Sequence, residues 1–146
     1  MLTTIIVIVL LLAFIQVMGH RRRKAQGLIG YTVVRSFKSQ VHGITHRNSD
    51  RSSRQKIISD CYRGEVLRLI PEPDNRYDDC AIKVCRENGQ QLGYWQGGDS
   101  RMVEDLNNGK KFHVTIDEIY DFEEDEGKPK PRLGVRLRVD VMQKTV

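Results

Sequence analysis

Pro71-Glu72-Pro73-Asp74-Asn75-Arg76-Tyr77-Asp78-Asp79-Cys80-Ala81-Ile82-Lys83-Val84 is the segment around which the rest of the chain organises. It places two prolines, an Asp-Asn turn and a lone tyrosine between two strand-like runs, Val66–Ile70 and Ala81–Arg86. Pro71 and Pro73 lack ladder donors, so the first run has to stop there. Asp74 and Asp78 are of the type that holds such turns through bonds from side chain to backbone. A dense loop on a rigid scaffold is where binding residues concentrate.

Further strands lie on both sides of this loop. Asn88-Gly89 reads as a hairpin turn that sends the chain back as Gln91–Trp95. Asp99 can cap a short helix carrying Met102, Val103 and Leu106, and Gly109 closes it. Phe112, Val114 and Ile116 alternate, then the phase slips near Asp117–Ile119, as a bulge would cause. Leu133, Val135, Leu137, Val139 and Val141 form the cleanest period-2 pattern of the chain. Residues 121–131 between these two runs read as a solvated hairpin tip. Upstream, Val41–Ile44 reads as a short strand and Tyr31–Phe37 as a first strand or an extended linker. Ser52 or Ser53 can cap a helix through Tyr62, with Ile57, Ile58 and Cys61 at helical spacing. The expected fold is mainly β, a small, partly open β-barrel with two short helices.

The N-terminus is of another kind. From Leu2 to Met18 the only polar side chains are Thr3, Thr4 and Gln16, and His20-Arg21-Arg22-Arg23-Lys24 follows at once. A cleaved signal peptide places its basic residues before the apolar run and small residues at its end. Here no Lys or Arg precedes Ile5, and Val17-Met18-Gly19 makes a poor cleavage site. An uncleaved transmembrane anchor over 1–19, with its basic flank on the cytoplasmic side, is the expectation. Residues 20–40 then form a basic juxtamembrane tether and first strand. The expected location is a single-pass membrane protein with its C-terminal domain in the cytoplasm. Cys61, Cys80 and Cys85 are odd in number and without Cys-x-x-Cys spacing, which suits free thiols in a reducing compartment.

Charge is uneven. Residues 21–63 hold eleven Lys/Arg against two acids, Asp50 and Asp60, whereas residues 64–146 are net acidic. The basic half suits phosphate, of lipid or of nucleic acid. Catalytic patterns are missing. Gly97-Gly98-Asp99-Ser100 lacks the lysine of a phosphate-binding loop, and His20, His42, His46 and His113 have no metal-ligand spacing. The chain is therefore expected to be a binding module and not an enzyme, with no cofactor and no metal. Tyr77, Tyr94 and Trp95 lie in or near turns, where aromatic faces can stack on unpaired bases, and Arg47, Arg51, Arg54 and Arg76 can meet phosphates. Trp95, the single tryptophan, reads more readily as core. Arg136 and Arg138 read as cross-strand partners of acids such as Asp117 or Glu118.

The order of motifs from Val41 to Val141 resembles the HIRAN domain, a module carried by helicase-like remodelling proteins and found as short bacterial proteins. The resembling residues are Val41-x-Gly43-Ile44, Arg54-Gln55, Gly64-x-x-Leu67-x-Leu69 and Glu72-Pro73-Asp74-Asn75-x-Tyr77-Asp78-x-x-Ala81-Ile82-x-Val84. Gly89-x-x-Leu92-Gly93-Tyr94 and Leu106-x-x-Gly109 complete the set. The resemblance covers residues 41–143 and implies an OB-like small barrel that grips single-stranded DNA at its 3′-hydroxyl end. It implies that Tyr77 packs on the terminal nucleotide, Asp78 accepts from the 3′-hydroxyl, Asn75 shapes the loop or touches the sugar, and Tyr94 supplies a ring. A carboxylate repels an internal phosphate yet accepts from a free hydroxyl, which favours ends. This chain departs from the family at Thr45-His46-Arg47, where animal relatives carry an Arg-aromatic pair, and at Gln96-Gly97, where they carry lysines. Arg47, Arg51 or Arg54 would then take over the phosphates. The expected nucleic-acid site is thus Asn75, Tyr77, Asp78, Tyr94, His46, Arg47 and Arg54. Expected partners are a single-stranded DNA end, a membrane through Leu2–Met18, and a protein supplying helicase or nuclease activity. The competing reading is a non-enzymatic adaptor for proteins or membrane surfaces that keeps the fold alone.

Overall fold

The computed structural model describes residues 2–25, 28–122 and 132–145. The chain divides into two compact units. One holds the N-terminal helix with residues 28–32 and 143–145, and the other runs from Val33 to Met142.

In the first unit, α1 spans Leu2–Ala25. Beyond it Tyr31 N–H donates to Leu28 O at 3.2 Å, and Gly30 O accepts from Thr145 N–H at 2.6 Å. The side chains described in α1 cover residues 6–16 and 18 and are exposed all round the helix. Among the described residues no helix is long and apolar enough to cross a membrane. The expected helix of the N-terminus is present over Leu2–Ala25. The side chains of the basic cluster Arg21–Lys24 lie outside the described residues.

A six-stranded sheet makes up most of the second unit. Its strands are β1 (Tyr31–Gln40), β2 (Val66–Pro71), β3 (Ile82–Arg86), β4 (Gln91–Tyr94), β5 (Lys111–Phe122) and β6 (Arg132–Lys144), in the order β1-β6-β5-β2-β3-β4. The pairs β2–β3, β2–β5, β3–β4 and β5–β6 are antiparallel. Two helices accompany it, α2 (Arg54–Ser59) and α3 (Ser100–Asn107). The sheet is open, with β1 and β4 at its edges. A single bridge pins those edges together: His42, two residues past β1, exchanges backbone bonds of 2.8 and 2.9 Å with Tyr94 of β4. A Cβ on Gly93 would lie 2.3 Å from His42 O and 2.6 Å from Val41 Cγ1, so only glycine permits this approach. The partly open barrel of the sequence is thus an open sheet drawn round until its edges meet at one point.

The core follows from the alternation. Val135, Leu137 and Val139 are fully buried, while Arg136 and Arg138 between them are exposed. Each such side chain contributes about 1.5–3 kcal/mol of burial. Val114 and Ile116 of β5 join them, with Ile57 and Ile58 from α2 and Met102 from α3. The register of β5 on β6 shifts between Ile116 and Glu118, where the phase slips in the sequence. The extra residue, Asp117, pairs with Lys38 at 2.9 Å, and the shift returns Ile119 to the core face opposite Val135. Glu118 forms an ion pair with Arg136, its register partner, and Arg138 pairs with Asp140 in its own strand.

Local expectations differ in three places. Val41–Ile44 is no strand: Val41 N–H donates to Val135 O at 3.0 Å, His42 makes the bridge, and Gly43 (φ +66) turns the chain away. Ser53 caps α2 as expected, accepting from Lys56 N–H, but the helix stops at Ser59 and not near Tyr62. Pro71 is the last residue of β2, opposite Ile82, and does not lie beyond the strand. Residues 123–131 of the expected hairpin tip lie outside the described residues.

Candidate nucleic-acid interface

Asn75 organises the central loop. Its Oδ1 accepts from Tyr77 N–H at 3.0 Å and Asp78 N–H at 3.2 Å, the side-chain turn that Asn is suited to make. Its Nδ2 donates to Glu72 Oε2 at 2.7 Å. The same Glu72 oxygen accepts from Tyr94 OH at 2.9 Å, and Glu72 Oε1 meets Lys83 Nζ at 2.5 Å. Burial works against the Glu72 carboxylate, yet the bonds from Lys83, Asn75 and Tyr94 outweigh it and hold it below the usual carboxylate range. Lys83 is shifted upward, first by its bond to Glu72. Glu72 is therefore the hub that fixes both the loop and the Tyr94 ring.

Asp78 ties this loop to the next one. Its Oδ1 accepts from Cys80 N–H at 2.9 Å and its Oδ2 from Gly98 N–H at 3.1 Å. Gly98 (φ +69) belongs to the turn before α3, whose cap Asp99 accepts from Met102 N–H and from Trp95 Nε1 at 2.9 Å. Trp95 is 5% exposed and stands edge-on to Phe37 at 6.3 Å, as a core tryptophan should. Tyr77 is the opposite case. Its side chain is 86% exposed, with the Arg76 guanidinium 5.2 Å above its ring.

Arg54 forms the far wall. It is 5% exposed, donates from Nε to Asn48 Oδ1 at 2.6 Å and from Nη1 to Gly43 O at 2.8 Å, and lies 5.1 Å over the Tyr94 ring. Between these walls lies a groove of about 730 Å³. This is the size of a small-ligand site. Six of the seven residues expected from the sequence line it: Asn75, Tyr77, Asp78, Tyr94, His46 and Arg54. Arg47 does not. It is exposed, bridged to Ser53, and its Nη1 donates to Arg51 O at 2.9 Å. Sequence reasoning missed His42 and Glu72 on the groove wall. The three-residue spacing of Glu72 and Asn75 across one turn was the available signal for Glu72. His42 is placed by a bridge between distant segments, which no local pattern reveals.

The three cysteines are free. Burial, followed by Glu65, pushes the Cys61 thiol up to about 12, and burial also raises that of Cys85.

The HIRAN domain family model matches residues 34–141. Two solved structures share the fold. The HIRAN domain of human HLTF is 18% identical with a TM-score of 0.53, the match covering 79% of this chain and 81% of that one. A protein from Lactobacillus plantarum is 18% identical with a TM-score of 0.51, the match covering 76% of this chain and 99% of that one. No curated protein matches the sequence. With strand order, loop and groove as described, and the family model spanning most of the sequence, this chain belongs to the HIRAN domain family.

Proposed function

We propose that the domain binds single-stranded nucleic acid in the groove, prefers DNA with a free 3′-hydroxyl, and performs no turnover of its own. The observation that carries this reading is Tyr77, an exposed ring on a loop whose backbone Asn75 fixes. A rigidly presented aromatic face is what a base stacks on, at about 1–3 kcal/mol per base. Tyr94, oriented by Glu72 and Arg54, offers a second ring in the same groove. Each Asp78 oxygen accepts one backbone N–H and keeps a further lone pair, which suits a hydroxyl and repels a phosphate. Membership of the HIRAN family supports the same reading.

The full chain in non-ionic detergent, titrated with a short fluorescent single strand, tests it. Salt-sensitive binding that Tyr77→Ala weakens by about 1–3 kcal/mol is expected. Absence of binding at low salt would leave the adaptor reading.

The reading also includes a tether. The apolar side chains of residues 6–12, 14 and 15 are exposed around the whole of α1, and a helix apolar all round belongs in an apolar medium. We take that medium to be lipid, with the domain on the cytoplasmic side. Extraction of membranes with alkaline carbonate should leave the chain in the pellet. Release into the supernatant would refute the tether.

A further inference from the structure

Of the arginines that the sequence suggests for phosphate, only Arg76 stands exposed on the groove. Arg54 is buried and both its bonds point inward, to Asn48 and Gly43. Arg47 is outside the groove, and among the described lining residues only Arg76 is a further permanent cation. Three carboxylates face these two guanidiniums: Glu72, which Lys83 meets at 2.5 Å, and Asp74 and Asp78. With neutral histidines the lining therefore has no surplus of positive charge to offer a phosphate. Two residues can change that. His42 and His46 are exposed on the groove wall, and neither imidazole makes a hydrogen bond or an ion pair among the described residues. Their backbones are fixed, His42 by its two bonds to Tyr94 and His46 by its N–H to Gly43 O at 3.2 Å.

We infer that His42 and His46 are the phosphate-contacting pair of the groove, and that they bind the nucleic-acid backbone as imidazolium ions. The inference rests on the nucleic-acid reading above. Histidine is the side chain that ordinarily changes charge between about pH 5 and 8. The charged and titratable groups facing the pair are Arg54 from α2, Glu72, Asp74, Arg76 and Asp78 from the central loop, and Tyr94 from β4. Contact with a phosphate raises the affinity of an imidazole for its proton. A protonated imidazole attracts phosphate and a neutral one does not, so affinity for the strand falls as the pH rises across the interval in which histidine side chains ordinarily lose their charge. Each histidine whose proton affinity rises tenfold on contact makes binding about tenfold tighter at the acid end.

The test is a titration of the full chain in non-ionic detergent with fluorescent oligothymidylate at about pH 6 and about pH 8, at constant ionic strength. The wild type is compared with His42→Gln/His46→Gln. Both imidazoles are exposed, so the double variant should melt like the wild type. The expected result is binding at least about tenfold tighter at the lower pH for the wild type, and no pH dependence for the double variant. A wild type that binds equally at both values overturns this inference alone, as does a double variant that keeps the pH dependence. A wild type that binds at neither value overturns the nucleic-acid reading and this inference together.

Discussion

Asp78 Oδ2 accepts the Gly98 N–H at 3.1 Å, and so latches the central loop to the turn that leads into α3. Its other oxygen takes the Cys80 N–H at 2.9 Å. Asp78→Ala releases both donors and is expected to cost about 1–2 kcal/mol in denaturant unfolding, at 0.5–1.5 kcal/mol per bond. Asp78→Asn keeps one acceptor and should lose about half as much. A stability of Asp78→Ala equal to the wild type would show that the latch carries no weight.

Tyr77→Ala separates binding from folding. At 86% exposure the ring supports little of the fold, so stability should change by less than about 0.5 kcal/mol. Affinity for a single strand should fall by about 1–3 kcal/mol. A paired melting curve and fluorescence titration read both values, and an unchanged affinity would remove Tyr77 from the site.

Glu72 gives the domain an acid limit. Its folded-state affinity for protons lies below the ordinary carboxylate value, because three donors outweigh its burial. A carboxylate depressed in this way adds stability above its unfolded value, about 4.3, and that stability is lost as the pH falls through the folded value. Melting temperatures recorded from pH 6 downward should therefore drop more steeply for the wild type than for Glu72→Gln. Glu72→Gln should be the less stable protein at pH 6, since its amide places a donor against Lys83 or Tyr94. Parallel curves would mean that Glu72 is not the hub.

Gly93→Ala tests the pinning of the two sheet edges. The added Cβ would lie 2.3 Å from His42 O, a backbone atom that cannot move without breaking its bond to Tyr94. Overpacking of this kind costs about 1–3 kcal/mol. Hydrogen exchange should show the Tyr94 and His42 amides losing protection while Val135 and Leu137 keep theirs. Unchanged protection at Tyr94 would contradict the bridge.

Much of this was legible in the chain because period-2 patterns bury one face. Leu133–Val141 could pack in only one way, and the phase slip near Asp117–Ile119 marked the bulge where the register shifts. Asn75, Tyr77, Asp78 and Tyr94 were readable because turn chemistry and the family motif coincide there. What stayed hidden depends on distant segments meeting. The His42–Tyr94 bridge joins residues on opposite sides of the sheet order, and it turned an expected strand at Val41–Ile44 into a single contact. Arg54 looked like a phosphate ligand because an arginine near a loop usually is exposed. Here Asn48 and Gly43 draw it into the wall.

The most direct test compares two short single strands, identical except that one ends in a 3′-hydroxyl and the other in a 3′-phosphate, each titrated against the full chain at low and high salt. The account predicts tighter binding of the hydroxyl end, with the preference lost in Asp78→Asn at unchanged salt dependence. Equal binding of both ends, with the whole affinity following salt, would contradict it and leave only a basic surface.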